Sequence, residues 1–129
     1  MPLKCLLGET PVFAFNFSGE KWDQLKVENR KLKHLSMPCC KAKATPKTSK
    51  LGTQFFAHAK TGGCETAAET AEHLLAKATV AEAAKLAGWT VDTEVQGSTP
   101  AGDPWVADVL VSKGQSKIAI EIQWSKQVQ

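Results

Sequence analysis

Long apolar runs are missing from this chain of 129 residues. Nothing in it approaches the roughly 18 to 20 consecutive apolar residues of a membrane span, so no membrane partner is expected. The opening residues Met1-Pro2-Leu3-Lys4-Cys5-Leu6-Leu7-Gly8 hold an apolar stretch too short for a secretory signal, and a cytoplasmic protein is the expectation. Cysteine is scarce, with four in all, and two of them, Cys39 and Cys40, are adjacent. Without an export signal, reduced thiols or a metal site are expected in place of two disulfides. Acids are absent from residues 30–50, which carry seven bases: Arg30, Lys31, Lys33, Lys41, Lys43, Lys47 and Lys50. What remains is 43% apolar. That is enough for a globular core of one domain, or a domain with a small attached module, and it excludes a disordered composition.

The net charge of +3 conceals an asymmetry: residues 1–64 hold 11 bases and 4 acids, a net of +7, and residues 65–129 hold 5 and 9, a net of −4. The basic stretch reads as a phosphate-facing stripe, with a solvated, lysine-rich loop as the plainer reading.

Pro11-Val12-Phe13-Ala14-Phe15-Asn16-Phe17 alternates Phe with other side chains and predicts a strand or hairpin arm ended by Ser18-Gly19. Residues 20–32 predict a short helix or an irregular amphipathic segment, and Pro38 stops any helix. Residues 41–53 read as a strand and turn leading into Gln54-Phe55-Phe56-Ala57-His58. Alanine-rich residues 65–86 predict a long helix capped by Thr66 and ended by Gly88. Strands follow over residues 89–95, 105–111 and 117–124, with a loop over 96–104 and a tight turn at Lys113-Gly114-Gln115. A helix followed by an antiparallel meander is an α+β pattern.

Three carboxylates stand out: Glu69 on the expected helix, Asp108 at the start of an apolar strand, and Glu121 in Glu121-Ile122-Gln123 on the next. A charge within such a strand is costly unless it is paired or metal-bound. Two acids 13 residues apart on adjacent strands suit a hard cation, magnesium or manganese, which orients water and polarises a phosphate. The Ile122 carbonyl is a candidate further ligand, and Glu69 a candidate for a ligand water or a second ion. On the helix, Glu69, His73 and Lys77 fall at i, i+4 and i+8. That is one polar stripe, which taken alone reads as an ordinary exposed face.

Glu69-Thr70-Ala71-Glu72-His73 with Lys77, Trp89-Thr90-Val91-Asp92-Thr93-Glu94, Ala107-Asp108-Val109-Leu110 and Ala119-Ile120-Glu121-Ile122-Gln123-Trp124-Ser125 together resemble the nuclease-like domain of the competence protein CoiA-like family. Upstream, Gly52-Thr53-Gln54-Phe55-Phe56-Ala57-His58 with Cys64 is similar to the family's Phe-Ala-His segment. The likeness spans about residues 50–125, and the ordered combination carries it more than any single piece. It implies a PD-(D/E)xK, restriction-endonuclease-like core, a long helix on a mixed, mainly antiparallel sheet, over residues 61–129 and behind a basic β-rich module over 1–60. By the resemblance Asp108 and Glu121 match the two metal ligands and Glu69 the acid of the first helix. Gln123 stands where many such enzymes have Lys, although the family's own pattern often carries Gln there. The implied activity is magnesium- or manganese-dependent cleavage of DNA, related to its uptake or processing. Gln123 is expected to orient water or phosphate, and the basic stripe, His73 and Lys77 to contact DNA. Nucleases of this class usually continue with another helix and strand. The core is therefore expected to be truncated at its C-terminus, or a minimal form, with a missing element supplied by a further C-terminal region or by a second copy in a homodimer.

Two alternatives accompany that reading: a DNA-binding accessory module of the same fold with weak or no turnover, and a protein-interaction domain. Cys39, Cys40, His58 and Cys64 also raise zinc, since relatives often carry paired cysteines upstream and thiolate with imidazole suits that ion. Adjacent cysteines are poorly spaced for a tetrahedral ion, which favours buried or inert thiols, and His58 reads equally as a hydrogen-bonded structural residue. Trp22, Trp89, Trp105 and Trp124 read mainly as core, with base stacking as the alternative.

Overall fold

Residues 1–59 and 69–123 are described by the computed structural model, and the chain divides into two units, Met1–Glu69 and Thr70–Gln129. Among the described residues there are two helices and three sheets, an α+β composition, and every strand pairing is antiparallel. The parallel component of the expected mixed sheet is therefore absent from them. No helix among the described residues is long and apolar enough to cross a membrane.

In the first unit, β1 (Lys4–Leu7) lies between β2 (Thr10–Phe13) and β3 (Leu35–Ser36). The strand expected over residues 11–17 stops at Phe13, because the Ala14 amide donates to the Leu3 carbonyl (2.8 Å) and the chain winds into a 3-10 turn, Ala14–Asn16. Helix α1 (Gly19–Leu32) begins where the Ser18 hydroxyl accepts from the Lys21 amide (3.3 Å), and ends at Lys33 in the left-handed region (φ 48°). Trp22, Leu25 and Asn29, spaced i, i+3 and i+7, form its buried face. Trp22 packs against Phe56 and Phe17, with ring centroids 5.2 and 5.7 Å apart. Buried Asn29 donates to the Ala44 carbonyl (2.8 Å) and accepts from the Leu35 amide (3.3 Å), which ties α1 to the strands beside it. The second sheet is the hairpin β4 (Ala44–Thr48) and β5 (Gln54–His58), as the sequence predicts.

The second unit is helix α2 (Ala71–Leu86) on a meander of β6 (Thr90–Ser98), β7 (Pro104–Lys113) and β8 (Ser116–Ile120). Ala71, Leu74, Ala78 and Ala81 are the helix's buried apolar positions, and Ala107, Val109 and Val111 alternate as the buried positions of β7. The helix starts later than expected, because Thr70 accepts from the His73 amide (3.1 Å) and occupies the N-cap. Thr66, the expected cap, lies outside the described residues. Strand β6 runs on through the expected loop to Ser98, and the turn that follows is fixed by bonds between Thr99, Gly102 and Asp103. Gly97 is required there: a Cβ on it would lie 2.1 Å from the ring of Trp105, its cross-strand partner.

Candidate functional site

Asp108 lies in the interior of β7 and not at its start. Its Oδ2 accepts from the Ile122 amide at 2.8 Å. That bond replaces a ladder bond, so β8 ends at Ile120 and Glu121-Ile122-Gln123 leaves the strand while still held against Asp108. The alternation expected of Glu121 and Gln123 within a strand does not apply, and both side chains are exposed. His73 Nε2 donates to the Ile122 carbonyl (2.8 Å) and lies 3.5 Å from Asp108 Oδ2. A carbonyl can only accept, so this bond fixes the proton on Nε2. The oxygen expected as a further metal ligand is therefore already engaged by the helix.

One turn further along α2, Lys77 is only 3% exposed, and its ammonium meets Glu94 Oε2 at 3.0 Å. It is thus not part of a solvated basic face, as the polar-stripe reading requires: burial of its charge demands a partner, and removing one member of such a pair strands the other at about 3–5 kcal/mol. Glu94 sits in β6 with φ 49°, the left-handed region that a non-glycine residue enters at roughly 1–2 kcal/mol. Its Oε1 accepts from the hydroxyl of Thr93 (2.6 Å), which is fully buried. The pairings Thr93 to Val109 and Val95 to Ala107 place Glu94 level with Asp108 on the neighbouring strand. Two helix side chains at i and i+4 therefore reach two acids carried at the same level by β6 and β7.

Glu69 precedes α2 and is not on it, so the expected stripe loses its first member. It belongs to the first unit, where its carboxylate meets the Met1 ammonium at 3.4 Å. Among the described residues, no group of three or more metal-ligating side chains with ligand atoms within 4.8 Å of one another includes Asp108, Glu121 or Glu69; the group that does converge is Cys39, Cys40 and His58.

Cys39 and Cys40 are exposed, so of the expectation of buried or inert thiols the burial does not hold for this pair. They occupy a tight turn closed by the Met37 amide donating to the Ala42 carbonyl (2.8 Å) and the Lys41 amide to the Met37 carbonyl (2.9 Å). A bridge between Ser36 and Lys43 fixes its base. His58 ends β5 opposite Ala44, and the Ala59 amide donates to the Lys43 carbonyl (2.9 Å), which brings the imidazole to the turn. Cys64 lies outside the described residues.

The basic stretch divides into three places in the first unit. Arg30, Lys31 and Lys33 lie at the exposed end of α1, Lys41 in the cysteine turn with φ 61°, and Lys43, Lys47 and Lys50 at exposed positions before, on and after β4.

Compared with known proteins, the chain matches no family model, no curated protein and no solved structure. Glu94 is the acid that reasoning from sequence misses. Its signal is Thr93-Glu94 on a predicted strand, but only the hairpin register shows that it stands level with Asp108.

Proposed function

We propose that the second unit is the core of a metal-dependent nuclease that hydrolyses DNA phosphodiester bonds, of the CoiA-like, PD-(D/E)xK type with a restriction-endonuclease-like core, acting in DNA uptake or processing. The observation that carries this reading is the Asp108 carboxylate, which accepts from the Ile122 amide at 2.8 Å and so tethers Glu121 and Gln123 beside it. Strained backbone at an acid is a common feature of active sites, and Glu94 at φ 49° supplies it on the adjacent strand.

The donor set is carboxylate oxygen, which fits a hard cation, magnesium or manganese. When bound, such an ion supplies an activated water and neutralises charge at the phosphate. Asp108 and Glu121 are the residues that would hold it. His73, bonded to the Ile122 carbonyl, fixes the segment that carries Glu121. Lys77, buried and paired with Glu94, holds the helix that carries His73 against β6. Gln123, exposed at the end of the segment, has an amide able to orient water or a phosphate oxygen. The lysines of the first unit hold the DNA backbone.

Replacing Asp108 or Glu121 by Ala is expected to lower magnesium- or manganese-dependent cleavage of DNA by about 100-fold or more, on the scale of several kcal/mol of charge stabilisation. Circular dichroism is expected to remain unchanged. Full activity in either folded variant overturns the assignment.

Gln123 in the usual lysine position favours a second reading, a DNA-binding accessory module without turnover. Calorimetric titration with each metal, with and without a short duplex, separates the two: DNA binding without metal uptake or cleavage selects the second.

A further inference from the structure

Cys39, Cys40 and His58 present three soft or borderline donors from two pieces of backbone already locked together by main-chain bonds. Zinc binds sulfur at about 2.3 Å and nitrogen at about 2.0–2.1 Å, so tetrahedral angles separate two of its sulfur ligands by about 3.8 Å and a sulfur from a nitrogen by about 3.5 Å. Here the two Sγ atoms are 3.7 Å apart, and His58 Nε2 is 3.7 Å from Cys39 Sγ and 3.3 Å from Cys40 Sγ. Each separation matches an edge of that tetrahedron within about 0.3 Å. A disulfide needs its sulfurs at about 2.05 Å, so the two thiols are not covalently bonded to each other and both are available as donors to one ion.

The objection from spacing, that adjacent cysteines seldom ligate one ion, is answered by the turn. Left-handed backbone at Lys41 and the bond from its amide to the Met37 carbonyl fold residues 37–41 back on themselves, and in that turn both thiols come within reach of one imidazole. Two thiolates and a neutral imidazole also balance the double charge of a zinc ion, so the loaded turn carries no uncompensated charge at the metal.

We infer that Cys39, Cys40 and His58 bind one zinc ion that staples the turn at residues 37–42 to the end of β5. The site is independent of the nuclease reading: it lies wholly in the first unit, and its donors are sulfur and nitrogen where the carboxylates offer only oxygen. Both thiols lose their protons on binding, so uptake releases protons and weakens in acid. Bound only by the folded turn, the ion raises the melting temperature in proportion to the logarithm of its concentration.

The test uses the full chain, reduced, stripped with a chelator and titrated with cobalt(II), then zinc. Expected are one equivalent of cobalt with sulfur-to-cobalt charge transfer and the intense visible bands of tetrahedral geometry, both abolished by one equivalent of zinc. Zinc-edge absorption spectroscopy then shows at least two sulfurs and one imidazole. Cys39→Ser and Cys40→Ser each weaken the metal beyond the ~100-fold typical of an outer-shell change, whereas Asp108→Ala leaves it unaffected. Because loss of a ligand can also unfold the turn, His58→Cys provides the second arm. It keeps tetrahedral binding with stronger charge transfer. Absence of tetrahedral cobalt in the reduced chain, or unchanged affinity in a folded Cys39→Ser/Cys40→Ser double variant, overturns the inference.

Discussion

Cys5 differs from the two exposed cysteines in one respect that has a measurable outcome. It is fully buried in β1, and that burial pushes its thiol from 9.0 up to about 12. In the unfolded chain the thiol ionises near 9.0, while in the folded chain it keeps its proton to about 12. Between these values the unfolded state binds fewer protons, so stability is complete below the lower one and is lost as pH rises toward the upper. Urea unfolding at about pH 8 and about pH 10.5 is therefore expected to show a larger loss for the parent chain than for Cys5→Ala, by a slope of up to one proton. Equal slopes would show that the thiol is solvated in the native state. Local burial also separates Lys77 from the other lysines: it is bound to Glu94 within the fold, whereas those of residues 30–50 stand on the surface.

Among the elements, the β6–β7 hairpin is the most sensitive to a single atom. Trp105 lies over Gly97 so closely that the methyl of Gly97→Ala has no space without displacing the ring. Overpacking of this kind typically costs about 1–3 kcal/mol. The variant is expected to lower the melting temperature and shift the tryptophan emission; a melt and spectrum like those of the parent would mean that the ring moves aside freely. Helix α1 is legible in the sequence only as one of two alternatives, whereas helix α2, the β4–β5 hairpin and the meander are legible because periodicity and turn residues report them directly. The element ends are not. Local pattern favours Thr66, with Glu69 three residues on, as the cap of α2, whereas the cap is Thr70. Likewise β8 ends where a side chain, Asp108, takes the amide that the ladder would use. Of the site, Asp108 beside the Glu121 segment is visible in spacing, while Glu94 and the convergence of His58 on adjacent cysteines depend on strand register and a left-handed residue. Neither leaves a periodic trace.

At the scale of the molecule, charge follows the division of the chain. The first unit carries 11 bases and 6 acids, a net of +5, and the second 5 and 7, a net of −2. If the first unit holds the DNA backbone as proposed, affinity falls with salt through release of counterions. Changing Lys41, Lys43 and Lys47 to Gln is expected to flatten the plot of log K against log salt by about 0.9 for each duplex phosphate no longer neutralised. Binding measured by anisotropy at several salt concentrations checks this. An unchanged slope would assign the electrostatic interaction to other residues.

Helix α2 touches the two acids through residues one helical turn apart, His73 to Asp108 and Lys77 to Glu94. The arrangement works like a two-pin plug. Its pins match sockets on separate strands, so the helix fits the sheet in one rotation and at one height. A polar substitution at exposed Leu75 leaves that alignment intact, but adding or deleting one residue between His73 and Lys77 turns every later side chain by about 100°. Lys77 then loses Glu94 even though no charged residue has been changed. The stretch from His73 to Lys77 is thus constrained in length more tightly than in composition.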